Sequence, residues 1–527
     1  MPLRTLFICL LALAAALPFA SSADAEGSIE LNLIGRFATG VVDDSGAEIA
    51  AHDPATQRVF FTNAGDNQLL ILDIRRPWAP TRIATVDLDA FGGGVNSVAV
   101  QGGLVAVALE GETAQMPGSV AFFNVNGVPL GSVAVGPLPD MLTFTPDGTK
   151  ILVANEGEPL DYCDAGLAAD PEGSISIITI EGLSGGAPVT SVQAADFSAF
   201  NGTIDPGVRI FGPGATVAQD LEPEFIAVAP DGQTAWITLQ ENNAVAVLDI
   251  ASATITAVVP FGMKNHNTFR NGFDASNRDN AIRVRPWPVM GMYQPDAIAA
   301  YDWMGETYLV TANEGDARDY DCFSEEERIG DFSLDPDAFG VPAFFERDDN
   351  LGRLRITNVG VDTDDDGLLD RARAYGARSL SIWRGSDASL VWDSGNEIEL
   401  ITAGALGGNF NSNQESDSFD ARSDDKGPEP EGVAVGRFNG RTYAFVGLER
   451  SGGIIVYDIS DPTRPFYDTY INTQDFSADG IAGDVGPEGL IYIPREESPI
   501  NRALVVVTFE ISGTVGVFSV RVRDDGL

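Results

Sequence analysis

The sequence predicts an all-β fold, a seven-bladed β-propeller closed by an N-terminal strand in its last blade. Three observations predict it: a segment that recurs seven times, an apolar strand after each copy, and a spare strand at the start of a chain whose end lacks one. In each copy an acidic or amide residue opens an apolar strand, a Gly-containing turn follows, and a second strand ends in an acid or amide. The regular copies open at Asp140, Glu224, Asp296, Glu431 and Glu488, leading to ILVANEG, TAWITLQEN, YLVTANEG, TYAFVGLER and ALVVVTFE. Two weaker copies come first, Glu48 with VFFTNAG and Asn96 with LVAVALEG.

The third strands include LLILDI, SVAFFNV, SISIITI and GIIVYDI, whose apolar alternation suits sheets covered on both faces by neighbouring blades. A fourth strand usually follows, as in RIATVDL, but the last copy stops soon after TVGVFSVRV. ELNLIGRFA near the N-terminus is the natural supplier of that missing outer strand, which removes an open edge. The chain has 57 Gly, 30 Pro and few long helical patterns, which agrees with many short strands. Length alone would suggest several domains, but a propeller holds one ring together through its neighbours. Residues 24–527 are therefore expected to be a single propeller domain.

Arg4, the apolar run Leu6 to Ala20 and the small residues after it read as a signal peptide over 1–23. The run is shorter than the roughly 20 residues of a membrane span. The expected product is a secreted or periplasmic monomer with no membrane span. Lys+Arg is 32 against Asp+Glu 77, a net charge of −45, which excludes nucleic-acid partners and attracts cations. Once Cys9 leaves with the leader, Cys163 and Cys322 remain in an oxidising compartment, and a disulfide is expected between them. His52 and His266 are the only histidines, which excludes His/Cys zinc sites and leaves a Ser-His-Asp triad little to draw on.

In a propeller, loops after second strands and between blades share one face. The long insertions fall there: 157–173, 196–222, 262–294, 315–377, 402–430 and 473–486. Turns on the other face, such as TPDGTK and APDGQT, are short. A rigid scaffold with long loops on one face is the usual way to build a binding site.

Four constellations on that face carry chemistry. The first is a double ring of acids. Glu48, Asp140, Glu224, Asp296, Glu431 and Glu488 open first strands, and Glu110, Glu156, Glu241, Glu314, Glu449 and Glu510 close second strands. So many converging carboxylates repel one another unless cations answer them. Calcium ligands are expected at Glu224, Asp296, Glu314, Glu431, Glu449 and Glu488; the alternative is that each acid braces a loop amide. The second is Asp362-Thr-Asp364-Asp-Asp366-Gly367-Leu368-Leu-Asp370, which matches the front of a calcium loop with the Leu368 carbonyl as a ligand. Arg373 stands where an EF-hand would place its bidentate Glu, so the EF-hand is incomplete.

The third is 264–296, where Asn271, Asp274 and Asp279 offer closely spaced oxygens beside His266. Either a calcium site or an ordered cross-linked loop fits them. The fourth is a pair of arginines beside the ring, Arg318 and Arg450, suited to phosphate or sulfate or to structural ion pairs. Candidate catalytic residues, if there is catalysis, are Glu314, Glu431, Arg318, Arg450 and His266.

With ANEGEP, GFDASNRD, GMYQPDAIAAYD, VTANEGDARDY, LGRLRITNVGVDTDDDG, GPEPEGVAV, GLERSGGIIVYDISDP and GPEGLIYIP in view, the chain resembles the choice-of-anchor I family of secreted propellers, related to the mesenchyme-specific cell-surface glycoprotein group. The resemblance covers nearly the whole chain beyond the leader. It implies an extracellular propeller, often followed by a variable surface anchor; with nothing after the last blade here, release or a periplasmic location is expected. Some relatives look like atypical alkaline phosphatases. Two functions therefore compete. One is a calcium-binding module for an anionic small molecule, surface glycan or protein; the other is a calcium-dependent phosphoesterase using the acidic ring.

Overall fold

The computed structural model describes residues 28–163, 169–184, 187–415, 418–478 and 480–523; the leader expected at 1–23 lies outside them. Seven four-stranded sheets follow one another along the chain, each built from antiparallel neighbours. Second strands read as unbroken apolar runs because both of their faces are covered. Arg58–Asn63 is buried from Val59 onward, and Leu504–Phe509 throughout. Fourth strands lie outermost, and Thr81–Asp87 keeps most of its side chains in water.

Apolar clusters join each sheet to the next, as where Phe60, Leu69 and Ile71 pack on Val98, Val105 and Val107. The last sheet shares such a cluster with the first, where Leu504, Val506 and Val517 meet Val59, Phe61 and Leu70. No sheet buries its faces alone, which is β-propeller architecture. Near the N-terminus, Ile29–Ala38 pairs antiparallel with Thr514–Val522, with Leu31 opposite Val520. First strands of all seven sheets line a central cavity of about 520 Å³.

The insertions are more structured than long loops. Phe273, Trp287, Leu334, Leu351, Ile356 and Leu369 form an apolar core of their own within 262–377. A small sheet frames it, with Met263–Asn265 against Val289–Met292 and the latter parallel to Ala372–Ala374. A helix, Glu397–Leu406, follows the fifth sheet. Cys163 and Cys322 are joined as a disulfide, Cα to Cα 5.3 Å, tying the insertion of the third sheet to that of the fifth. Tyr162 packs edge-on against Tyr320 and Phe323 beside it. Among the described residues no helix is long and apolar enough to cross a membrane.

Candidate functional site

The acids that open first strands sit at one end of the central cavity because the strands bulge there. Register shifts fall between Pro139 and Leu142, Pro430 and Val433, and Pro487 and Leu490, which bracket Asp140, Glu431 and Glu488. A bulge adds one unpaired residue and re-aims its side chain. Leu138, Gln294 and Glu429, which stand just before the Pro-acid pairs at Asp140, Asp296 and Glu431, have φ of 45°, 39° and 53°, a left-handed conformation that costs energy outside glycine. The backbone is bent in this way where it delivers Asp140, Asp296 and Glu431.

Gly489, next to Glu488, allows the ring to close up. A Cβ at this position would lie 2.4 Å from both the Glu48 carbonyl oxygen and the Thr508 hydroxyl. Gly489→Ala is therefore expected to destabilise by about 1–3 kcal/mol, as overpacking does, and to displace Glu488. An unchanged denaturant midpoint would show that the first strands do not need this close approach.

Two groups of carboxylates come together at the mouth. Oxygens of Glu48, Glu488 and Glu510 lie within 4.8 Å of one another, as do those of Glu314, Glu429 and Glu449. The second group is answered by cations. Glu314 Oε1 accepts a hydrogen bond from Lys426 at 2.7 Å, and Glu429 Oε1 accepts one from Arg422 at 2.8 Å. Arg450 lies 3.1 Å from Glu449 and 3.5 Å from Glu429. The Lys426, Arg422 and Arg450 charges hold the Glu429 carboxyl below its usual range despite its burial.

Among the described residues the first group has no cation as a hydrogen-bond or ion-pair partner; Glu510 accepts from the Ser45 hydroxyl at 3.1 Å. Burial, with Glu510 and Asp140 nearby, pushes Glu48 up to about 8. Burial together with Glu48 and Glu510 pushes Glu488 well above its ordinary value. The same holds around the ring: burial raises Asp140 and Glu241 to about 7, and holds Glu224, Asp296 and Glu431 well above their ordinary values. Among the described residues, buried oxygens of Glu224, Glu241 and Glu431 have no hydrogen-bond partner. Orphaned carboxylate oxygens in a dry, like-charged cluster fit a hard divalent cation, which takes oxygen ligands alone.

The structure brings Glu314 to Glu449, and Glu488 to Glu48 and Glu510, while Glu224, Asp296 and Glu431 fall in neither group. Sequence reasoning missed Glu222 and Glu429, the first acids of the two Glu-Pro-Glu triplets, as well as Arg422 and Lys426. The triplets were visible as a signal: in each, one acid enters the ring and the other holds a cation.

Arg318 has a different role from the one its position suggests. Its side chain is 1 % exposed; it pairs with Asp220 and Glu222 and lies over the Phe211 ring. Its guanidinium is thus engaged within the protein. Arg450 keeps 28 % of its side chain exposed at the mouth. His266 is buried, with Nδ1 2.6 Å from the Asn271 carbonyl oxygen and its ring against Phe273; burial and Lys264 push it down to about 3, so it is neutral. None of the ring carboxylates is among these neighbours.

In the same insertion, Asn271 donates to the Asn265 carbonyl and Asp279 pairs with Arg283. Asp274 accepts the Arg283 N–H, and burial raises it to about 7. These contacts are those of a cross-linked loop. Oxygens of Asp362, Asp364 and Asp366 lie within 4.8 Å of one another in the Asp-rich loop. Asp362 there accepts the N–H groups of Asp365 and Gly367, Asp366 accepts that of Leu368, and Asp370 accepts from Thr363. Repulsion from Asp366 raises the Asp364 carboxyl.

Fold and site define an acid-mouthed β-propeller with a capped face. The choice-of-anchor I domain matches residues 48–462, and the chain belongs to that family. It is 34% identical over 176 residues to gigasin-3a of Magallana gigas, covering 31% of this chain and 62% of that protein. It is 29% identical over 300 residues to the mesenchyme-specific cell surface glycoprotein of Strongylocentrotus purpuratus, covering 50% and 38%. The chain thus spans less than two thirds of either relative. Among solved structures it is similar to Kuenenia stuttgartiensis hydrazine synthase, with a TM-score of 0.48 at 12% identity over 92% of this chain and 100% of that one. A streptogramin B lyase gives 0.46 at 10% identity over 95% and 100%.

Proposed function

We propose that this chain is a secreted, seven-bladed propeller, closed through Ile29–Ala38, that binds calcium at its acidic mouth and acts as a ligand-binding or surface-interaction module. The observation that carries this reading is the cluster of Glu48, Glu488 and Glu510, three carboxylates within 4.8 Å of one another with no basic partner among the described residues. Orphaned oxygens on Glu224, Glu241 and Glu431 around the same mouth support it. Calcium here would neutralise the repulsion and fix the ends of the first strands. A second calcium at Asp362, Asp364 and Asp366, with Asp370 and the Leu368 carbonyl nearby in sequence, would stiffen the capping loops. The curated relative named a cell surface glycoprotein supports an extracellular setting.

A second reading, the calcium-dependent phosphoesterase, draws on Lys426 and Arg450 beside Glu314 and Glu449, with Glu431 adjoining, where positive charge could meet a phosphate. One set of measurements separates the two. Calcium titration by calorimetry should show saturable binding that weakens at least tenfold in Glu488→Gln with Glu510→Gln. p-Nitrophenyl phosphate should stay unhydrolysed with calcium present. Calcium-dependent turnover lost in Glu314→Gln would establish the phosphoesterase instead, and wild-type calcium binding in the double variant would remove the mouth as the site.

A further inference from the structure

The strands that carry Glu431 and Glu488 to the acidic mouth end, on the opposite face, at a cleft of about 450 Å³ lined by arginines. Arg437 lies one residue before the end of the strand Pro430–Phe438, Arg495 and Arg502 lie in the turn after Pro487–Ile493, and Arg521 comes from Thr514–Val522. Acids outnumber bases more than two to one in the chain, 77 against 32, yet among the described residues Glu496 is the sole acid lining this cleft. Glu30, the cross-strand neighbour of Arg521, gives its carboxylate to Asn32 instead.

The cleft is built rather than incidental. Tyr492 crosses from the last sheet to the sixth through space that a Cβ at Gly436 would fill, 2.3 Å from its ring. Its hydroxyl donates to the Arg437 carbonyl at 2.8 Å, and its ring stacks on Phe445 at 5.6 Å. Arg495 is aimed by Asn501, which accepts from its Nε at 3.0 Å and leaves the outer guanidinium nitrogens free. The guanidinium groups of Arg437, Arg502 and Arg521 make no hydrogen bond or ion pair among the described residues; all four arginines are exposed. Several arginines elsewhere are paired with acids, as at Arg209, Arg318, Arg378 and Arg441.

We propose that this cleft is an oxyanion site for a small ligand carrying two or more sulfate or phosphate groups. Guanidinium forks match the oxygens of both groups bidentately, which lysine does not. The net charge of −45 repels long polyanions, so the ligand is limited to the size of the cleft. This site is independent of the calcium reading, since it lies on the other face and uses none of the mouth residues.

The test is calorimetric titration of the full chain with pyrophosphate and, separately, with a polysulfated disaccharide, both in chelator so that no calcium bridge can form at the mouth. One-to-one binding is expected, and the tighter probe names the source, phosphate or sulfate. Loss of a charge-assisted hydrogen bond weakens binding by roughly tenfold or more. Arg437→Gln and Arg502→Gln should each do so, with unchanged melting because neither side chain has a partner to lose. Arg82→Gln, another exposed arginine, should bind as wild type. Absence of binding to both probes at millimolar concentration would overturn the proposal, and so would full binding in the Arg437→Gln/Arg502→Gln pair.

Discussion

In chelator, the melting temperature of this protein is expected to fall steadily as pH rises from about 4.5 to about 8, and calcium is expected to restore it most at the upper end. The sign follows from the ring. Glu48 and Glu449 are pushed up to about 8, and Asp140 and Glu241 to about 7, chiefly by burial. Unfolded, the same groups titrate near their ordinary values, about 4. Between those limits the folded chain holds more protons than the unfolded one, so stability declines with pH, by about 1.4 kcal/mol per pH unit for each excess proton.

The contribution is fully present below about pH 4 and is lost through the window of the raised values. Carboxyls held low, such as Glu429 and the exposed Asp73 and Asp147, work in the opposite direction but below that window. Calcium replaces the protons: it binds the ionised ring of the folded state alone and stabilises by RT ln(1 + [L]/Kd), so its effect grows as pH rises. Scanning calorimetry at several pH values, with calcium and with chelator, reads both trends. Glu488→Gln should flatten the chelator curve. A melting temperature that is flat across this range in chelator, or indifferent to calcium at pH 8, would falsify the idea that ring carboxylates wait for a cation.

How much of this was legible in the sequence depends on whether local or distant chain set the feature. The ring acids were legible because each is fixed by its own strand: Asp140, Glu431 and Glu488 follow a Pro at a bulge, and the same short pattern recurs from sheet to sheet. The strand Ile29–Ala38 was legible through its apolar alternation. The disulfide needed only that Cys163 and Cys322 stand in equivalent insertions.

The core of the capping module was not legible, because Phe273, Leu334, Leu351 and Leu369 are scattered through segments without a clean strand or helix period. The partners of the arginines were hidden for a related reason. Arg318 follows a ring acid in sequence, but Asp220 and Glu222 lie almost a hundred residues earlier, and only the folded chain brings them together. Lys426 reaches Glu314 across a similar separation. The arginine cleft went unseen because its members come from two strands and a turn that carry no motif, in a composition whose average is acidic.

Arg318→Met is expected to be among the most damaging single substitutions in the molecule, and to act on stability rather than on ligand binding. Its guanidinium donates to Asp220 and, through Nε at 3.0 Å and NH2 at 2.6 Å, to Glu222, and NH2 also reaches the Asp220 carbonyl at 2.8 Å. Asp220 in turn accepts the N–H groups of Phe211 and Gly212 at 2.7 and 2.8 Å, so the network pins the insertion that precedes the fourth sheet. Methionine keeps much of the packing over Phe211 but leaves two buried carboxylates without their cation. Breaking one side of a buried pair typically costs about 3–5 kcal/mol, because buried charge is left without its ionic partner. Adding Glu222→Gln should recover part of the loss by removing one of the stranded charges, a coupling that a double-mutant cycle in denaturant measures directly. Were Arg318 instead an anion-binding residue at the mouth, the single variant would melt like wild type and Glu222→Gln would add nothing. That pair of results would return Arg318 to the functional surface and leave Asp220 and Glu222 balanced by some other cation.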